Sequence, residues 1–275
     1  MLRPSLSTNT IVKYCLAHAA EETGVLLHAV CVMSNHWHGV VTDSEGRLPE
    51  FLARFHLLLA KTQNTVLGRS ENFWSSDKTS VVLLVDDEDV LDKMAYVLAN
   101  PVAAGLVRSP HEWPGVISLR AGTSESVEMP DVFFDEEGAL PDEVELQFAR
   151  PHVFGGLSDA QVNERLSAKV TDLVRLARAS LAERGLPFVG RNTVLRQAPS
   201  EAPTTPTPLR NPSPRIAARS RSSRVHAIRQ MQEFVRTYRE AWLRWCEGDR
   251  GVTFPLGTYA LRVYGGVSIA SAAPS

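Results

Sequence analysis

The chain has 275 residues, which suits one or two domains with a sizeable hydrophobic core. At 44% hydrophobic and 22% charged residues, its composition is that of an ordinary globular protein, and its net charge of −2 indicates no particular partner. No apolar run reaches the length of a membrane span or resembles a signal peptide, so a soluble cytoplasmic protein is expected.

Cysteine usage points to the same compartment. Cys15, Cys31 and Cys246 lie far apart and form no CxxC motif. This spacing argues against a disulfide framework and against a cysteine-based zinc site, and it suits a reducing cytoplasm.

The first part of the chain alternates helical signals with β-rich runs. Helical signals cover residues 10–23, 49–67 and 86–100, and β-rich runs cover residues 25–33, 36–42 and 79–85. Thr8 or Asn9 is expected to cap the first helix, Gly24 to end it, and Pro101 to stop the third.

The resulting order, α-β-β-α-β-α, becomes the ferredoxin-like plan if one strand is added in front. We therefore expect an α+β domain with a ferredoxin-like (RRM-like) antiparallel sheet, helices on one face and the first strand missing. This catalytic-type domain is assigned to residues 1–120.

The rest of the chain is predicted to be mostly helical. Residues 121–157 form an acidic connecting segment, 158–197 a helical region, 198–222 a Pro/Arg-rich linker, and 223–275 a C-terminal helix and strand. Ten arginines and three acids occupy residues 196–245, which is a candidate polyanion-binding face or a solvated arm.

The stretch MSNHWHGVVT contains the first candidate site. In a strand, His36 and His38 project from the same face while Trp37 points to the core. Two imidazoles on one face are a ready bidentate metal site that needs a further ligand. Two half-exposed surface histidines are the plainer interpretation.

The helix at residues 86–100 carries a tyrosine on its polar side. Leu91, Met94 and Leu98 form the apolar face, whereas Tyr96 and Asn100 lie roughly opposite, with Lys93 beside them. A tyrosine packed against a neighbouring element would give the same pattern. Together with the histidine pair, however, the pattern suggests metal-assisted attack of a tyrosine on a phosphodiester.

These two motifs resemble the single-tyrosine HUH transposases, in particular the REP-associated tyrosine transposase family. Its His-hydrophobic-His motif matches residues 36–38, and its Y-x-x-x-N-P-V-x-x-G-L-V stretch matches residues 96–107. The EWPG stretch at 112–115 resembles the tryptophan-proline segment that follows in the family. The similarity covers about residues 5–118.

The resemblance implies a single-stranded DNA endonuclease and strand-transferase that acts on hairpin DNA. Tyr96 would be the nucleophile that forms a 5′-phosphotyrosine, and His36, His38 and Asn100 would hold Mg²⁺ or Mn²⁺. Family members act as monomers or as homodimers, and both states stay open for this chain.

Candidate DNA-binding residues outside these two motifs are less specific. Lys61, Arg69 and Lys93 are candidate DNA contacts, and Trp74 is a candidate base-stacking residue, although ordinary surface charges or a core aromatic would look the same.

Two other functions compete with the transposase. A barrel-type metal hydrolase also carries HxH on a strand. A degenerate or domesticated DNA-binding protein without cleavage activity would fit the missing strand.

Overall fold

The computed structural model describes residues 2–75, 79–133, 140–198 and 214–271. Its helices are α1 (Leu6–Thr23), α2 (Leu48–Leu67), α3 (Asp87–Ala103), α4 (Asp159–Glu183), α5 (Arg191–Arg196), α6 (Arg221–Cys246) and α7 (Ala260–Gly265). Its strands are β1 (Leu26–Val32), β2 (Trp37–Thr42), β3 (Leu83–Leu84), β4 (Thr123–Glu128), β5 (Glu143–Phe148), β6 (Ile216–Ala217), β7 (Thr253–Phe254) and β8 (Ser268–Ile269).

A four-stranded sheet in the order β2-β1-β5-β4 is the centre of the fold. The β1/β2 hairpin is antiparallel, with Cys31 opposite His38 and Val32 opposite Trp37. On its other side, β1 pairs with β5 in parallel at Leu27. β4 completes the sheet as an antiparallel partner of β5.

Beyond Leu27, the edge of β1 that faces β5 is paired by an irregular segment at residues 116–118. Val32 N donates to Val116 O at 2.8 Å, and Ser118 N donates to Val30 O at 2.9 Å. Residues 2–5 form no strand ahead of α1. β1 therefore has partners on both sides without a leading strand, so its backbone groups are not left unpaired in the core.

Alternating side chains of β1 enter two hydrophobic cores. Val30 and Val32 pack with α1 and α2, whereas Ala29, Cys31 and Met33 pack with α3 and α4. Helices thus cover both faces of the sheet and place α3 on the face opposite α1 and α2.

The predicted α+β class is confirmed, and two details of the expected plan differ. The sheet is mixed rather than antiparallel, because β5 runs parallel to β1. Helices lie on both faces rather than one, because both faces of β1 are apolar: α1 and α2 cover one side, and α3 and α4 cover the other. The described residues contain no closed parallel barrel, which excludes the barrel-hydrolase fold for them.

The predicted third strand is much shorter than its sequence suggests. Only Leu83 and Leu84 are strand, and they pair in parallel with Ile216 and Ala217 outside the main sheet. A run of valines and leucines forms a strand only where another strand pairs with it, and this run pairs with neither edge strand of the main sheet, β2 or β4, but only with β6.

Two helix ends also differ from the expectation. α1 begins earlier, because the Ser5 hydroxyl accepts a hydrogen bond from Thr8 N and so caps the helix. α3 continues through Pro101 to Ala103. Val102 is fully buried in the core with α4, and this packing offsets the hydrogen bond that a proline cannot donate.

The C-terminal part forms a small unit around α6. Ala241, Val252 and Phe254 make its core, with Tyr238 and Trp245 packed against it. Among the described residues, no helix has the length and apolar character needed to cross a membrane.

Candidate active site

The two histidines form a close pair at the start of β2. Their Nε2 atoms are 3.0 Å apart, and their ring centroids are 4.7 Å apart at an angle of 87°. Trp37 points to the other face, where its ring packs on Phe55 and its Nε1 donates to His56 Nε2 at 3.0 Å. The predicted alternation along this strand is therefore confirmed.

Both imidazoles are held in their neutral form. Desolvation lowers the pKa of His36, and desolvation together with the nearby His36 lowers the pKa of His38 to about 4. An imidazole binds a metal only through an unprotonated nitrogen, so the low pKa values make both rings available as ligands near neutral pH.

Asn35 fixes the tautomer of His36, a role that its position in the hairpin turn did not reveal. Its Oδ1 lies 2.6 Å from His36 Nδ1, so that nitrogen carries the proton and donates it. The lone pair on His36 Nε2 then faces His38. Hydrogen-bond acceptors that bind the second ring nitrogen in this way commonly orient metal-binding histidines.

Tyr96 lies beside the histidine pair. Its ring centroid is 5.8 Å from that of His38 in an edge-to-face arrangement, and 48% of the residue is exposed. Leu91, Met94 and Leu98 of the same helix are buried in the core below. The helix therefore presents the phenol at the surface, next to the imidazole of His38.

Lys93 and Asn100 lie about one turn to either side of Tyr96 along α3. The Lys93 ammonium lies 5.3 Å from the centroid of the Tyr96 ring, a cation–π distance. Asn100 follows Tyr96 by one helical turn and is buried, with 8% of the residue exposed. Lys93 is thus exposed beside the phenol, whereas Asn100 is buried and not on the open polar side of the helix where the sequence had placed it.

The histidine pair fits a divalent cation. Two nitrogens 3.0 Å apart match adjacent donors around one ion, which are about 3 Å apart when bonds of about 2.1 Å meet at right angles. Within the described ranges, no three His, Cys, Asp or Glu side chains are grouped to hold a metal ion. Further ligands would have to be an amide, water or substrate oxygens, and Asn100 is the amide that the sequence suggests.

The other predicted DNA contacts are not brought to this surface. Lys61 is on α2, and Arg69 follows the end of that helix, so both belong to the layer on the opposite face of the sheet. Arg69 is paired with Glu71 at 2.6 Å. Trp74 packs on His56, and its Nε1 donates to His56 O at 2.9 Å, so this indole is engaged within the protein.

An ion-pair network next to Tyr96 was not predicted. Asp92, one turn before Tyr96 on the same side of α3, pairs with Lys169 of α4 at 2.5 Å and with Arg219. Arg219 also reaches Asp89 at 3.4 Å, and its backbone N donates to Asp86 Oδ2 at 2.8 Å. The beginning of α6 is thus attached to the helix that carries Tyr96.

Comparisons of the chain with family models, with curated proteins and with solved structures find no match. The function must therefore be inferred from the side chains described above.

Proposed function

We propose that this chain is a metal-dependent single-stranded DNA endonuclease and strand-transferase that acts through a 5′-phosphotyrosine. The observation that carries the proposal is the half-exposed ring of Tyr96 lying edge-to-face with His38, whose imidazole forms a close pair with His36. The family resemblance of both motifs supports the same chemistry.

The reaction exchanges one ester for another at phosphorus. The Tyr96 phenolic oxygen attacks a backbone phosphate, its proton passes to water, and a new P–O bond forms to tyrosine. The bond from phosphorus to the 3′-oxygen breaks, and that oxygen takes a proton and leaves as a hydroxyl. Attack of a 3′-hydroxyl on the phosphotyrosine reverses the step and rejoins strands.

His36 and His38 would hold Mg²⁺ or Mn²⁺, with Asn100 as a further ligand. When bound, such an ion polarises the phosphate and neutralises its charge. Imidazole nitrogens suit Mn²⁺ better than Mg²⁺, which prefers oxygen ligands. Lys93, over the Tyr96 ring, adds positive charge where the phosphate approaches.

A covalent adduct is the direct test. The full chain is incubated with end-labelled single-stranded DNA that carries a hairpin, with Mn²⁺ or Mg²⁺, and the products are separated under denaturing conditions. We expect a labelled protein–DNA adduct that disappears in Tyr96→Phe and on chelation of the metal. No adduct on any hairpin substrate, from a protein with wild-type circular dichroism, would remove the proposal.

A DNA-binding protein without cleavage activity is the alternative. It is favoured by the absence, in the described part of the chain, of a third histidine, cysteine or carboxylate near the imidazole pair. DNA binding that is equal in the wild type and Tyr96→Phe, with no adduct from either, would establish this function instead.

A further inference from the structure

The helix α6 exposes most of its surface. It is 26 residues long, and only Ala227 and Ala241 are buried within it. It is also rich in arginine, and its arginines fall into two groups that differ in their partners.

One group is neutralised within the protein. Arg236 pairs with Glu233 and with Glu240, the latter at 2.8 Å, and Arg244 pairs with Asp249 at 2.5 Å. These side chains have their charge compensated and are held in place.

The other group has no acidic partner among the described residues. It consists of four exposed side chains, here called the α6 arginine row: Arg221, Arg224, Arg229 and Arg239. Exposed cations that no carboxylate compensates are available to bind phosphate.

The row lies on one side of the helix. Arg221 and Arg239 are separated by five full turns, so they fall on one line about 27 Å long. Arg224 and Arg229 lie within about 80° of that line, whereas the buried Ala241 lies about 160° from it and the buried Ala227 about 120° from it. The spacing of the row therefore suits a linear polyanion that runs along the helix.

An exposed indole accompanies the row. Trp242 follows Arg239 by three residues, which makes the two neighbours on the helix surface, and 43% of it is exposed. A base can stack on an exposed indole, and this contact distinguishes single strands from duplexes, whose bases are already stacked.

The N-terminal end of the row is attached to the helix that carries the proposed nucleophile. Arg219, two residues before α6, pairs with Asp92, one turn before Tyr96 on the same side of α3. The parallel pairing of β6 with β3 fixes the same junction through the backbone. Arg221, two residues after Arg219, is therefore the arginine of the row that follows this attachment most closely in the chain.

We propose that the α6 arginine row, with Trp242 at its far end, is the track for single-stranded DNA leading away from the phosphotyrosine. This inference rests on the proposed function for the identity of the strand. The row binds phosphates, and Trp242 stacks a base.

A second copy of the chain is a less suitable occupant of this surface. Val225, Val235 and Leu243 are also exposed on α6. A two-fold contact through this side, however, would place one uncompensated arginine row against another and cost repulsion between like charges.

The test measures the salt dependence of binding to a fluorescent (dT)20 oligonucleotide by anisotropy. It uses the full chain carrying Tyr96→Phe, so that cleavage does not consume the probe. In the row variant, Arg224→Ala with Arg229→Ala, we expect the slope of log affinity against log salt to fall by about 1.4, because two phosphate contacts are lost.

The matched control removes two exposed arginines elsewhere, Arg175→Ala on α4, where the arginine pairs with Asp172, and Arg184→Ala directly after that helix, and it changes the net charge equally. Its slope should stay at the parent value. Trp242→Ala should lower affinity about tenfold, whereas Trp242→Phe should retain most of it.

Three results would overturn the inference. The first is an equal slope in the row variant and its parent, and the second is an equal loss of slope in the row variant and the control. The third is a dimer in sedimentation that dissociates in Trp242→Ala. Adduct formation with Tyr96 intact is scored separately. If the protein forms a normal adduct but the row variant has the slope of its parent, the α6 arginine row is not a DNA track and the proposed nuclease activity stands. If the row variant has a lower slope but no substrate gives an adduct, the row binds DNA and the proposed nuclease activity is wrong.

Discussion

A single turn residue, Asn35, is expected to control metal affinity. Its amide oxygen accepts the His36 Nδ1 proton at 2.6 Å and so directs the Nε2 lone pair to the site. In Asn35→Ala, His36 is free to adopt either tautomer and to rotate. We expect Mn²⁺ affinity, measured by calorimetry or electron paramagnetic resonance on the full chain, to fall about tenfold.

Asn192→Ala provides the control, because Asn192 is exposed on α5. It should leave Mn²⁺ affinity unchanged, whereas His36→Ala should abolish specific binding. Wild-type affinity in Asn35→Ala would mean that the amide does not orient the ligand.

A second residue-scale prediction concerns pH and the buried His28. Its Nδ1 lies 2.7 Å from Ala149 O, and its Nε2 lies 2.7 Å from Thr42 Oγ1. Desolvation lowers its pKa below the ordinary 6.5. Below pH 6.5 the unfolded chain binds a proton that the folded chain rejects, so stability is complete above that pH and is lost as the pH falls.

Denaturant unfolding at pH 7.5 and 5.5 measures this effect. In His28→Gln, the loss of unfolding free energy between the two pH values should be smaller than in the wild type by about 1 kcal/mol. An identical loss in both proteins would show that His28 is not the group responsible.

For single residues, the sequence predicted which face of a strand or helix a side chain occupies better than it predicted which groups that side chain contacts. Strand alternation placed the two imidazoles on one face and Trp37 on the other, because it depends only on backbone geometry. Helical periodicity likewise placed Tyr96 off the core. It could not show the hydrogen bond from Asn35 or the engagement of Trp74 with His56, because these depend on rotamers and on tertiary contacts.

Among the elements, the irregular segment at 116–118 has the clearest energetic role. Val30 N, in the middle of β1, donates to Ser118 Oγ at 2.8 Å in a buried site. Ser118→Ala leaves that N–H without a partner. We expect a loss of about 1–3 kcal/mol in the free energy of unfolding, measured with urea.

Ser124→Ala, on the exposed edge strand β4, is the matched control and should change stability by less than about 0.5 kcal/mol. Equal effects of the two substitutions would show that the 116–118 segment does not stabilise β1.

Errors at the element scale had two sources. Residues 121–150 were expected to be an acidic connecting segment, yet they form β4 and β5; the alternation of EVELQF at 143–148, which buries every second side chain, was a local strand signal that the prediction missed. The other errors occurred where tertiary pairing outweighs local pattern. The apolar run at 79–85 forms only two residues of strand, because it has only β6 to pair with. Pro101 lies inside α3 because the neighbouring Val102 is buried there.

In the whole molecule, the C-terminal unit is attached to the rest of the chain at two places. Near α3, Arg219 contacts Asp89 and Asp92, and β6 pairs with β3. Near the start of α2, Arg262 pairs with Glu50. The Arg219 side chain is exposed, and such ion pairs contribute little. At the second place the Arg262–Glu50 pair is partly buried and lies beside close backbone packing, so this place is expected to matter more.

Gly46 allows that packing. It has φ of +66°, and a Cβ at this position would collide with the backbone of Gly257 in the C-terminal unit. Gly46→Ala should therefore separate the two surfaces. Gly68→Ala is the control, because Gly68 has φ of +61° with open space around it. It carries the same backbone cost of about 1 kcal/mol without the collision.

Cys246 at the end of α6 allows a direct measurement, because it is exposed while Cys15 and Cys31 are buried. With one spin label on Cys246 and another on Asp172→Cys of α4, pulsed dipolar spectroscopy gives the distance distribution between α6 and the sheet domain. We expect a narrow distribution in the parent and in Gly68→Ala, and a broad one in Gly46→Ala. If Gly46→Ala also weakens (dT)20 binding while Gly68→Ala does not, then docking of the C-terminal unit holds the α6 arginine row in line with Tyr96. A narrow, unchanged distribution in Gly46→Ala would show that the contact between residues 46 and 257 does not hold the unit.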